Sequence, residues 1–472
     1  SYEIEVMQQM LQEKGYTIVP FDEIADIYIV NTCTVTNIAD RKSRQMLHRA
    51  KQKNPAALVV AVGCYVQTGR ADVEQDPCID LAIGNNRKRD LASILEEYLQ
   101  DLEQEDAVAE NGETAGHAVD KTLHDTTVID INHTAEYEEM TLKHTAEHTR
   151  AYIKIQDGCN QFCSYCVIPY ARGRVRSRRA EDIIREITGM AQAGYREIVL
   201  TGIHISSYGI DFDEEAWKRG ESVSVLKEDE ERRDYSGSSK LIGLLERIHD
   251  IEGIERIRIG SLEPRIVTEE TAARMAALPK LCPHFHLSLQ SGCDTTLRRM
   301  NRKYTSEEYA ESVALLRKVF DHPAITTDVI VGFPGETEEE FAETVGFLDR
   351  IRFFEMHIFK YSKRAGTRAA VMPEQIPDPV KTERSAELLA MEKKQSKQFR
   401  ARYVGREAEV LLEETKEIGG TEYLLGHTRD YVKMAVPVQE NPNILTNTVL
   451  RGSVQGFLTD EILLLSPLEF SR

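Results

Sequence analysis

Three cysteines lie close together in the chain, at a spacing that can hold an iron–sulfur cluster. Cys159, Cys163 and Cys166 directly follow a predicted strand, in the order Cys-Asn-Gln-Phe-Cys-Ser-Tyr-Cys. Three thiolates on one short loop can bind three irons of a cubane cluster, and the fourth iron is then left to chelate a small molecule. The amino and carboxylate groups of S-adenosylmethionine suit that iron. A zinc site completed by His204 is the alternative, because three cysteines and a histidine also bind zinc.

A second pair of cysteines follows two other predicted strands, nearer the beginning of the chain. Cys33 ends the run Val30–Cys33, and Cys64 ends the run Val62–Cys64. Because the carboxyl ends of parallel strands lie at one edge of a sheet, the two thiols are expected to converge. Two thiolates are too few for a cluster, and a pair of unreactive thiols is the alternative. The other cysteines have no metal-binding spacing, and we expect small buried or surface thiols at Cys78, Cys282 and Cys293.

Polar residues at the ends of several predicted strands indicate a ligand-binding rim. In α/β barrels, the loops that leave the carboxyl ends of the strands carry the chemistry. Each residue alone is as easily explained as a turn or a helix cap. Together they favour one shared ligand, which we take to be S-adenosylmethionine. The residues assigned to this rim are Thr201, Gly202, Ser261, Glu263, Gln290, Asp328 and Gly332.

Strands and helices alternate six times in the middle of the chain, which predicts an incomplete TIM-type (β/α)6 barrel. A charged insertion at 211–239 interrupts the second unit of this alternation and reads as a surface loop. The predicted strands are Tyr152–Gln156, Glu197–Thr201, Arg256–Gly260, His284–Leu289, Ile325–Val331 and Glu355–Lys360.

The two ends of the chain differ from this barrel, so the fold class is α/β with several domains. Strands at Ile27–Asn31 and Leu58–Gly63 alternate with helical stretches, which predicts a small α/β domain with a parallel sheet whose first strand is missing. Residues 403–468 alternate with a period of two. That pattern predicts a small antiparallel β-barrel of the kind that binds oligonucleotides, and an arbitrary β appendage is the alternative.

The composition is that of a soluble globular protein. Of the 472 residues, 41% are hydrophobic and 29% charged, and no run approaches the ~20 apolar residues that span a bilayer. No basic and apolar leader precedes the first helix, and eight cysteines are too sparse for a disulfide scaffold, so we expect a cytoplasmic protein. The net charge is −19, and residues 101–150 supply −10 of it, with 13 Asp and Glu against 3 Lys and Arg.

These features together resemble the methylthiotransferases, a family of radical S-adenosylmethionine (radical SAM) enzymes, over nearly the whole chain. The segments that carry the likeness to the family's cluster motifs, radical loop and later barrel strands are 31–37, 62–65, 153–178, 328–337 and 359–367. The resemblance implies an N-terminal cluster domain, an acidic linker, a radical SAM barrel and an RNA-binding β-barrel called TRAM. Their expected ranges are 1–100, 101–148, 149–402 and 403–468.

The resemblance also implies the cofactors. The loop from Cys159 would hold a [4Fe–4S] cluster that cleaves S-adenosylmethionine, with Tyr165 beside the cofactor. Cys33 and Cys64 would hold a second [4Fe–4S] cluster, which carries the sulfur to be inserted. The family's first cluster cysteine lies in a motif shortly before a segment like Ser1–Glu3, and the chain starts just past it. An external electron donor is implied, and we expect a monomer.

The residues around Cys33 bear on the substrate. Asn31–Asn37 (NTCTVTN) is close to the branch that adds a methylthio group to carbon 2 of N6-threonylcarbamoyladenosine at position 37 of tRNA. The branches that act on isopentenyladenosine in tRNA or on a ribosomal protein carry other residues at this place, and they remain alternatives. A non-catalytic iron–sulfur protein that binds RNA is the alternative from another class.

Basic residues must offset the negative net charge if tRNA is bound. Residues 159–180 contain five arginines and no carboxylate, and a second basic run spans Lys393–Arg402. We expect the first run to contact phosphates, whereas a solvated helix face explains the second equally well. We also expect Arg364 to pair with the acid group of the threonylcarbamoyl moiety. The predicted substrate contacts in the first run are Arg172, Arg174, Arg176 and Arg178.

Overall fold

A computed structural model gives the fold of most of the chain. It describes residues 2–110, 127–134, 136–142, 149–212 and 237–468. Residues 111–126, 135 and 143–148 of the predicted linker 101–148 lie outside the described residues, and so do residues 213–236 of the insertion 211–239. Within the described ranges, no helix is both long and apolar enough to cross a bilayer.

The chain divides into two units, and the division does not follow the order of the sequence. Unit 1 gathers 1–144, 157–176 and 362–370. Unit 2 gathers 145–156, 177–361 and 371–472. The cysteine loop after the first barrel strand thus belongs to the same unit as the N-terminal residues. The predicted domain limits stay predictions.

Unit 1 contains a three-stranded parallel sheet in the order β1-β2-β3. Its strands are β1 (Ile27–Thr32), β2 (Leu58–Gly63) and β3 (Leu81–Ile83). All six residues of the central strand β2 are buried, as is usual for a strand covered on both faces. Thr32 of β1 lies opposite Gly63 of β2. Cys33 and Cys64 therefore follow directly from paired positions at one edge of the sheet.

Helices pack against this sheet through an apolar core that includes Tyr28, Leu47 and Val59. Thr36 begins the helix that follows β1, because its side chain accepts a hydrogen bond from the amide of Ala39 at 3.1 Å. The α-helices of unit 1 are Tyr2–Glu13, Asn37–Lys53, Cys64–Thr68, Arg70–Gln75, Leu91–Glu110 and Ile168–Arg172, with 3-10 turns at Lys88–Asp90 and Ile131–His133.

Unit 2 contains most of the barrel. The strand order is β5-β4-β6-β7 in one sheet and β10-β9-β8 in another, and single parallel bridges join Ile257 to Leu281 and Leu262 to Leu287. All six predicted strands are present in an open half-barrel, although β8 is shorter than predicted because the chain beyond it pairs only through such bridges. The strands are β4 (Arg150–Asp157), β5 (Arg176–Ser177), β6 (Glu197–Gly202), β7 (Arg256–Ile259), β8 (His284–His286), β9 (Ala324–Val331) and β10 (Glu355–Lys360).

The helices that follow these strands begin at defined caps. Thr305 and Thr337 each form a capping box, with Glu308 and Glu340 respectively. The α-helices are Ala180–Gln192, Gly237–His249, Glu269–Ala276, Asp294–Arg299, Ser306–Val319, Glu338–Ile351 and Asp378–Ala401, with 3-10 turns at Ile205–Ser207, Pro264–Ile266 and Arg368–Val371.

The C-terminal part of unit 2 is a closed five-stranded barrel in the order β11-β12-β13-β15-β14. Its strands are β11 (Glu407–Ile418), β12 (Thr421–Thr428), β13 (Lys433–Pro437), β14 (Val449–Phe457) and β15 (Leu463–Pro467). Val410, Leu424 and Met434 are among the residues that fill its core. The predicted small barrel is confirmed, with one difference: β13 and β15 pair in parallel.

Candidate functional site

The cysteine loop leaves the end of β4 and is fixed to the segment behind it. Gly158 has a φ of 74°, and a Cβ there would lie 1.8 Å from the carbonyl oxygen of Arg174. Only glycine can occupy this position without moving the backbone. The amide of Cys159 donates to the carbonyl of Gly173 at 3.0 Å. The first cysteine of the motif is therefore held by backbone contacts.

The rest of the loop is also tied down through its backbone. The amide of Cys166 donates to the carbonyl of Cys163 at 3.0 Å, and the amide of Ala369 donates to the carbonyl of Ser164 at 2.7 Å. All three cysteines of the motif are partly exposed and form no disulfide, and the side chain of Tyr165 is also partly exposed. Three accessible thiols on a fixed loop fit the ligand set of a cluster with one open iron.

Cys33 and Cys64 lie at adjacent strand ends, as predicted. The hydroxyl of Thr32 donates to the carbonyl of Val62 at 2.7 Å and accepts from the amide of Tyr65 at 3.2 Å, which links the two ends. Cys33 is exposed and Cys64 is 5% exposed. The pair can therefore supply ligands to a group at this edge of the sheet.

Arg172 joins the N-terminal cysteines to the segment behind the cysteine loop. Its Nε donates to the sulfur of Cys64 at 3.1 Å, and its Nη1 donates to Glu3 at 2.6 Å and to Asp157 at 3.3 Å. Burial would lower the pKa of Arg172, but Glu3, then Cys64 and Asp157, together raise it well above the usual value. Arg172 is thus a permanent cation with acceptors of its own, and its predicted contact with RNA phosphate is wrong.

Two more of the predicted RNA-contacting arginines are buried. Arg176 and Arg178 are each 1% exposed. Arg178 contacts the carboxylate of Glu186, which is equally buried. The Nη1 of Arg176 donates to the carbonyls of Arg172 and Arg174 at 2.9 and 3.1 Å. Neither side chain can reach an RNA phosphate, so the prediction is wrong for both, and each holds the fold instead.

Arg174 is the exception among these arginines, because its side chain is exposed. Its guanidinium lies over the ring of Phe162, 4.7 Å from the centroid. The ring of Phe162 packs edge-on against Tyr170, with the centroids 5.9 Å apart, and Tyr170 is 45% exposed. One face of the loop thus presents a cation and two aromatic rings, and Arg174 stays a predicted substrate contact.

Arg364 is buried and is paired within unit 1. It forms an ion pair with Asp40 at 2.7 Å, and it donates to Thr34 and Asn37 at 2.6 Å each. Its carboxylate partner is therefore a residue of the chain. The prediction that Arg364 binds the acid group of the substrate is wrong.

Three of the predicted rim residues of unit 2 lie at accessible strand ends. Gly202 and Ser261 are exposed, and Thr201 is partly exposed. The hydroxyl of Thr201 donates to the carbonyl of Ile153 on the neighbouring strand at 3.3 Å. These residues stay predicted cofactor contacts.

Glu263 is 3% exposed and has partners of its own in unit 2. Arg302 donates to its Oε1 at 2.6 Å, and the Nε2 of His204 lies 3.7 Å from the same oxygen. The other ring nitrogen of His204 lies 2.6 Å from the hydroxyl of Ser207. The predicted rim therefore includes an internal ion pair as well as accessible groups.

The last members of the rim lie around β9. Gln290 has a φ of 75°, and its amide donates to the carbonyl of Asp328 at 2.9 Å. The amide of Gly332 donates to the Oε2 of Glu336 at 2.7 Å, and Arg384 donates to that same oxygen at 2.7 Å. Glu336 therefore occupies the amide of Gly332, and the assignment of this glycine to the cofactor stays a prediction.

Several residues of unit 1 were not singled out from the sequence. Glu3 and Asp157 bind Arg172, and Asn85 contacts the sulfur of Cys64 at 3.5 Å. Asp157 had a signal, because it is a carboxylate at the end of β4, directly before the cysteine loop. Glu3 and Asn85 had none, because only the fold brings them to Cys64.

Two family models match the chain. The model of the radical SAM superfamily matches residues 153–348, and that of the uncharacterized protein family UPF0004 matches residues 1–84. The first range begins within β4 and contains the cysteine loop. The second contains Cys33 and Cys64.

Curated relatives are similar over most of the chain. The threonylcarbamoyladenosine tRNA methylthiotransferase MtaB of Bacillus subtilis (strain 168) is 38% identical over 434 residues, which cover 92% of this chain and 87% of the relative. The protein of the same name from Aquifex aeolicus (strain VF5) is 37% identical, with 90% and 92% covered. A tRNA-2-methylthio-N(6)-dimethylallyladenosine synthase of Thermoanaerobacter sp. (strain X514) is 36% identical, with 87% and 79% covered.

Among solved structures, the chain is similar to the radical S-adenosylmethionine methyltransferase TsrM from Kitasatospora setae. The TM-score is 0.51 at 15% sequence identity, and the match covers 78% of this chain and 72% of that one. A likeness at this level of identity concerns the fold alone.

Proposed function

Because the chain belongs to the radical SAM tRNA methylthiotransferase family, we propose that it adds a methylthio group to carbon 2 of N6-threonylcarbamoyladenosine at position 37 of tRNA. Relatives at 38% and 37% identity carry threonylcarbamoyladenosine in their names. The structural observation that carries the proposal is that unit 1 contains both the cysteine loop and the pair Cys33 and Cys64. Two sets of thiols fit a reaction in which one cluster generates the radical and a second cluster donates the sulfur.

The first cofactor set is S-adenosylmethionine and a [4Fe–4S] cluster bound by Cys159, Cys163 and Cys166. When bound, this group supplies the radical chemistry that a strong, non-acidic carbon–hydrogen bond requires and that side chains lack. The chain's own contribution is to hold the loop in place, through Gly158 and the Cys159 amide. The proposed contacts to S-adenosylmethionine are Tyr165, Thr201, Gly202, Ser261, Glu263, Gln290 and Gly332.

The second [4Fe–4S] cluster is proposed at Cys33 and Cys64, which supply two of its thiolates. Arg172 at 3.1 Å and Asn85 at 3.5 Å from the sulfur of Cys64 support this assignment. Hydrogen bonds to cluster sulfurs stabilise the added negative charge of a thiolate ligand. A fixed cation beside a buried thiol therefore suits a ligand that must stay deprotonated.

The tRNA is proposed to contact the exposed basic and aromatic groups of the chain. Arg174, Phe162 and Tyr170 can contact a phosphate and stack on a base that has left its stack. The closed barrel of 403–468 is proposed to be the TRAM domain, and the exposed residues of the run 393–402 precede it. We further propose an external electron donor and a cytoplasmic monomer.

A second candidate function is the same transfer to isopentenyladenosine. It is favoured by the relative that is 36% identical and is named as a dimethylallyladenosine synthase. The two substrates differ in charge, because threonylcarbamoyl carries a carboxylate and isopentenyl is apolar.

The experiment that tests the function is a reaction of the cluster-loaded protein with two tRNA preparations. One carries threonylcarbamoyladenosine and the other isopentenyladenosine, and digested nucleosides are analysed by mass spectrometry while deoxyadenosine is quantified. The expected result is a methylthio group on threonylcarbamoyladenosine alone. Cys159→Ala should form neither product, whereas Cys78→Ala, which alters a cysteine outside both sets, should behave as the parent.

Three outcomes would contradict the proposal. Methylthiolation of isopentenyladenosine alone would select the second candidate. Deoxyadenosine without any methylthio nucleoside would indicate another radical reaction, for example on a protein. A parent that forms no deoxyadenosine would be a non-catalytic iron–sulfur protein.

A further inference from the structure

Two histidines and an aspartate meet on three neighbouring strands of the half-barrel in unit 2. His286 ends β8, Asp328 lies in the middle of β9, and His357 lies on β10. In the parallel register His357 is opposite Asp328, and His286 is opposite Thr326. Residues two apart on a strand point to the same face. The three side chains therefore share one face of the sheet.

Their donor atoms are close enough to bind one ion. One donor atom from each of the three side chains lies within 4.8 Å of the other two. The Nε2 of His286 is 3.4 Å from the Oδ2 of Asp328. The rings of His286 and His357 are stacked, with the centroids 5.8 Å apart.

The distance of 3.4 Å between the Nε2 of His286 and the Oδ2 of Asp328 is longer than a hydrogen bond between an imidazole and a carboxylate. It suits two ligands of one metal ion. A charge-assisted hydrogen bond from nitrogen to a carboxylate is ~2.7–2.9 Å. Two ligands ~2.0–2.1 Å from a tetrahedral ion lie ~3.3 Å apart. A hydrogen bond between His286 and Asp328 alone would also not explain why a donor atom of His357 lies within 4.8 Å of both.

The other nitrogen of His286 has a hydrogen-bond partner, as the second ring nitrogen of a metal-binding histidine usually does. Its Nδ1 is 3.0 Å from the hydroxyl of Thr326, and Thr326 is 3% exposed. When Nδ1 carries the proton and donates to that hydroxyl, the lone pair of Nε2 points to Asp328. Such a contact fixes both the tautomer and the ring of a ligand histidine.

The site is open on one side. The side chains of His286 and Asp328 are 14% and 30% exposed, and His357 is exposed. An ion held by three protein ligands would keep open positions for water or another oxygen ligand. Two imidazoles and one carboxylate are a ligand set for Fe(II), Co(II) and Zn(II) rather than for Ca²⁺.

We propose that His286, Asp328 and His357 bind one divalent transition-metal ion. The site goes beyond the proposed methylthio transfer, which assigns no role to either histidine. It also gives Asp328 a role other than the contact with S-adenosylmethionine that was expected from the sequence.

A second group of similar residues is less suitable. The Nε2 of His48 lies 2.7 Å from Asp76, which is an ordinary hydrogen bond, and Cys78 lies beside them. Burial first, and then the charge of Asp76, raise the pKa of Cys78, which disfavours its thiolate. The direct contact between His48 and Asp76 leaves no separation for an ion between them.

The test uses Co(II) alone, added to the full cluster-loaded protein so that iron occupies the cysteine sites. Bound Co(II) is counted by equilibrium dialysis and detected by its high-spin paramagnetic resonance, while the clusters are kept oxidised and silent. The parent should bind one Co(II) per chain. Thr326→Val removes a hydrogen-bond partner of a ligand and should weaken Co(II) binding by ~10–100-fold. Loss of a ligand itself, in His286→Ala or His357→Ala, should weaken the binding by more than that.

The control is His322→Ala, because His322 is an exposed histidine beside Asp321 at 3.8 Å. It should bind Co(II) as the parent does. His357→Ala keeps the test valid if His286→Ala fails to fold, since His357 is exposed. The proposal is overturned if the parent binds no Co(II), or if His357→Ala binds it with unchanged affinity. Deoxyadenosine formation, measured in the same samples, reports separately on the proposed function.

Discussion

Replacing Arg172 by methionine removes a cation that Glu3 and Asp157 share. Methionine retains part of the apolar stem but has no donor. Removing one partner of a buried ion pair costs ~3–5 kcal/mol, because the other charge stays buried without a partner. Here Glu3 still contacts Lys88, and Asp157 still lies 3.9 Å from Arg176. We therefore expect the lower end of that range, ~3 kcal/mol of lost unfolding free energy.

The assay is urea unfolding of the full chain in a double-mutant cycle. Arg172→Met, Glu3→Gln and the double variant are compared with the parent. Because Arg172 donates to Glu3 at 2.6 Å, their effects should not add. Residues in direct contact couple by ~0.5–3 kcal/mol, and we expect ~2 kcal/mol for this buried pair. The matched control is Arg174→Met, an exposed arginine of the same segment, which should change stability by less than ~0.5 kcal/mol.

Two results would refute this reasoning. Equal losses for Arg172→Met and Arg174→Met would mean that the ion pairs of Arg172 contribute nothing. Strict additivity of Arg172→Met and Glu3→Gln would mean that the two side chains do not interact. A third readout is specific to Cys64. Arg172→Met should lower the iron content more than Arg174→Met does, because Arg172 donates to the sulfur of Cys64.

Three further predictions concern Cys33 and Gly158 of unit 1 and a comparison of Arg174 with Arg178. Cys33→Ala should keep deoxyadenosine formation but lose the methylthio nucleoside, and equal loss of both would indicate a merely structural role. Gly158→Ala should lower iron incorporation at the cysteine loop, because its Cβ would lie 1.8 Å from a carbonyl oxygen; normal iron content would show that the loop can shift. Arg174→Ala should weaken tRNA binding in a titration and flatten its salt dependence by ~0.7–0.9 log units per tenfold change in salt. Arg178→Ala should instead lower the unfolding free energy in urea by ~3–5 kcal/mol. The reverse pattern in these two measurements would overturn both assignments.

The cysteine sets and the strands were predictable because local sequence determines them. The spacing of Cys159, Cys163 and Cys166 is fixed along one loop. The short, valine-rich run Leu58–Gly63 favours a buried strand. The end of that strand places Cys64 at the sheet edge beside Cys33. For these features, the sequence alone is enough to predict which cysteines lie close together.

The arginines were misjudged for the opposite reason. The segment from Cys159 to Ala180 contains no carboxylate, which made its arginines look available for phosphate. The carboxylates that bind them come from elsewhere: Glu3 is 169 positions from Arg172 in the sequence. A short stretch of sequence around Arg172 cannot reveal a partner that is so far away in the chain.

The histidine and aspartate cluster had no signal in the sequence at all. His286, Asp328 and His357 belong to three strands that are separated by whole helices. No metal-binding spacing connects them, and only the parallel pairing of β8, β9 and β10 brings them together. Asp328 was noticed only as a polar residue on the fifth predicted barrel strand.

The burial of these arginines changes how a chain of net charge −19 is expected to hold tRNA. Of the four arginines predicted to touch phosphate behind the cysteine loop, only Arg174 is exposed. Arg179, near the end of the same segment, is also exposed. The segment can therefore account for two phosphate contacts, or ~1.4–1.8 log units of salt dependence. The run 393–402 keeps Lys393, Lys394, Lys397 and Arg402 exposed, whereas Arg400 is buried against Glu355. If tRNA binding shows a slope of several units, most phosphate contacts must come from outside the cysteine-loop segment, and the exposed residues of this helix are the first to substitute.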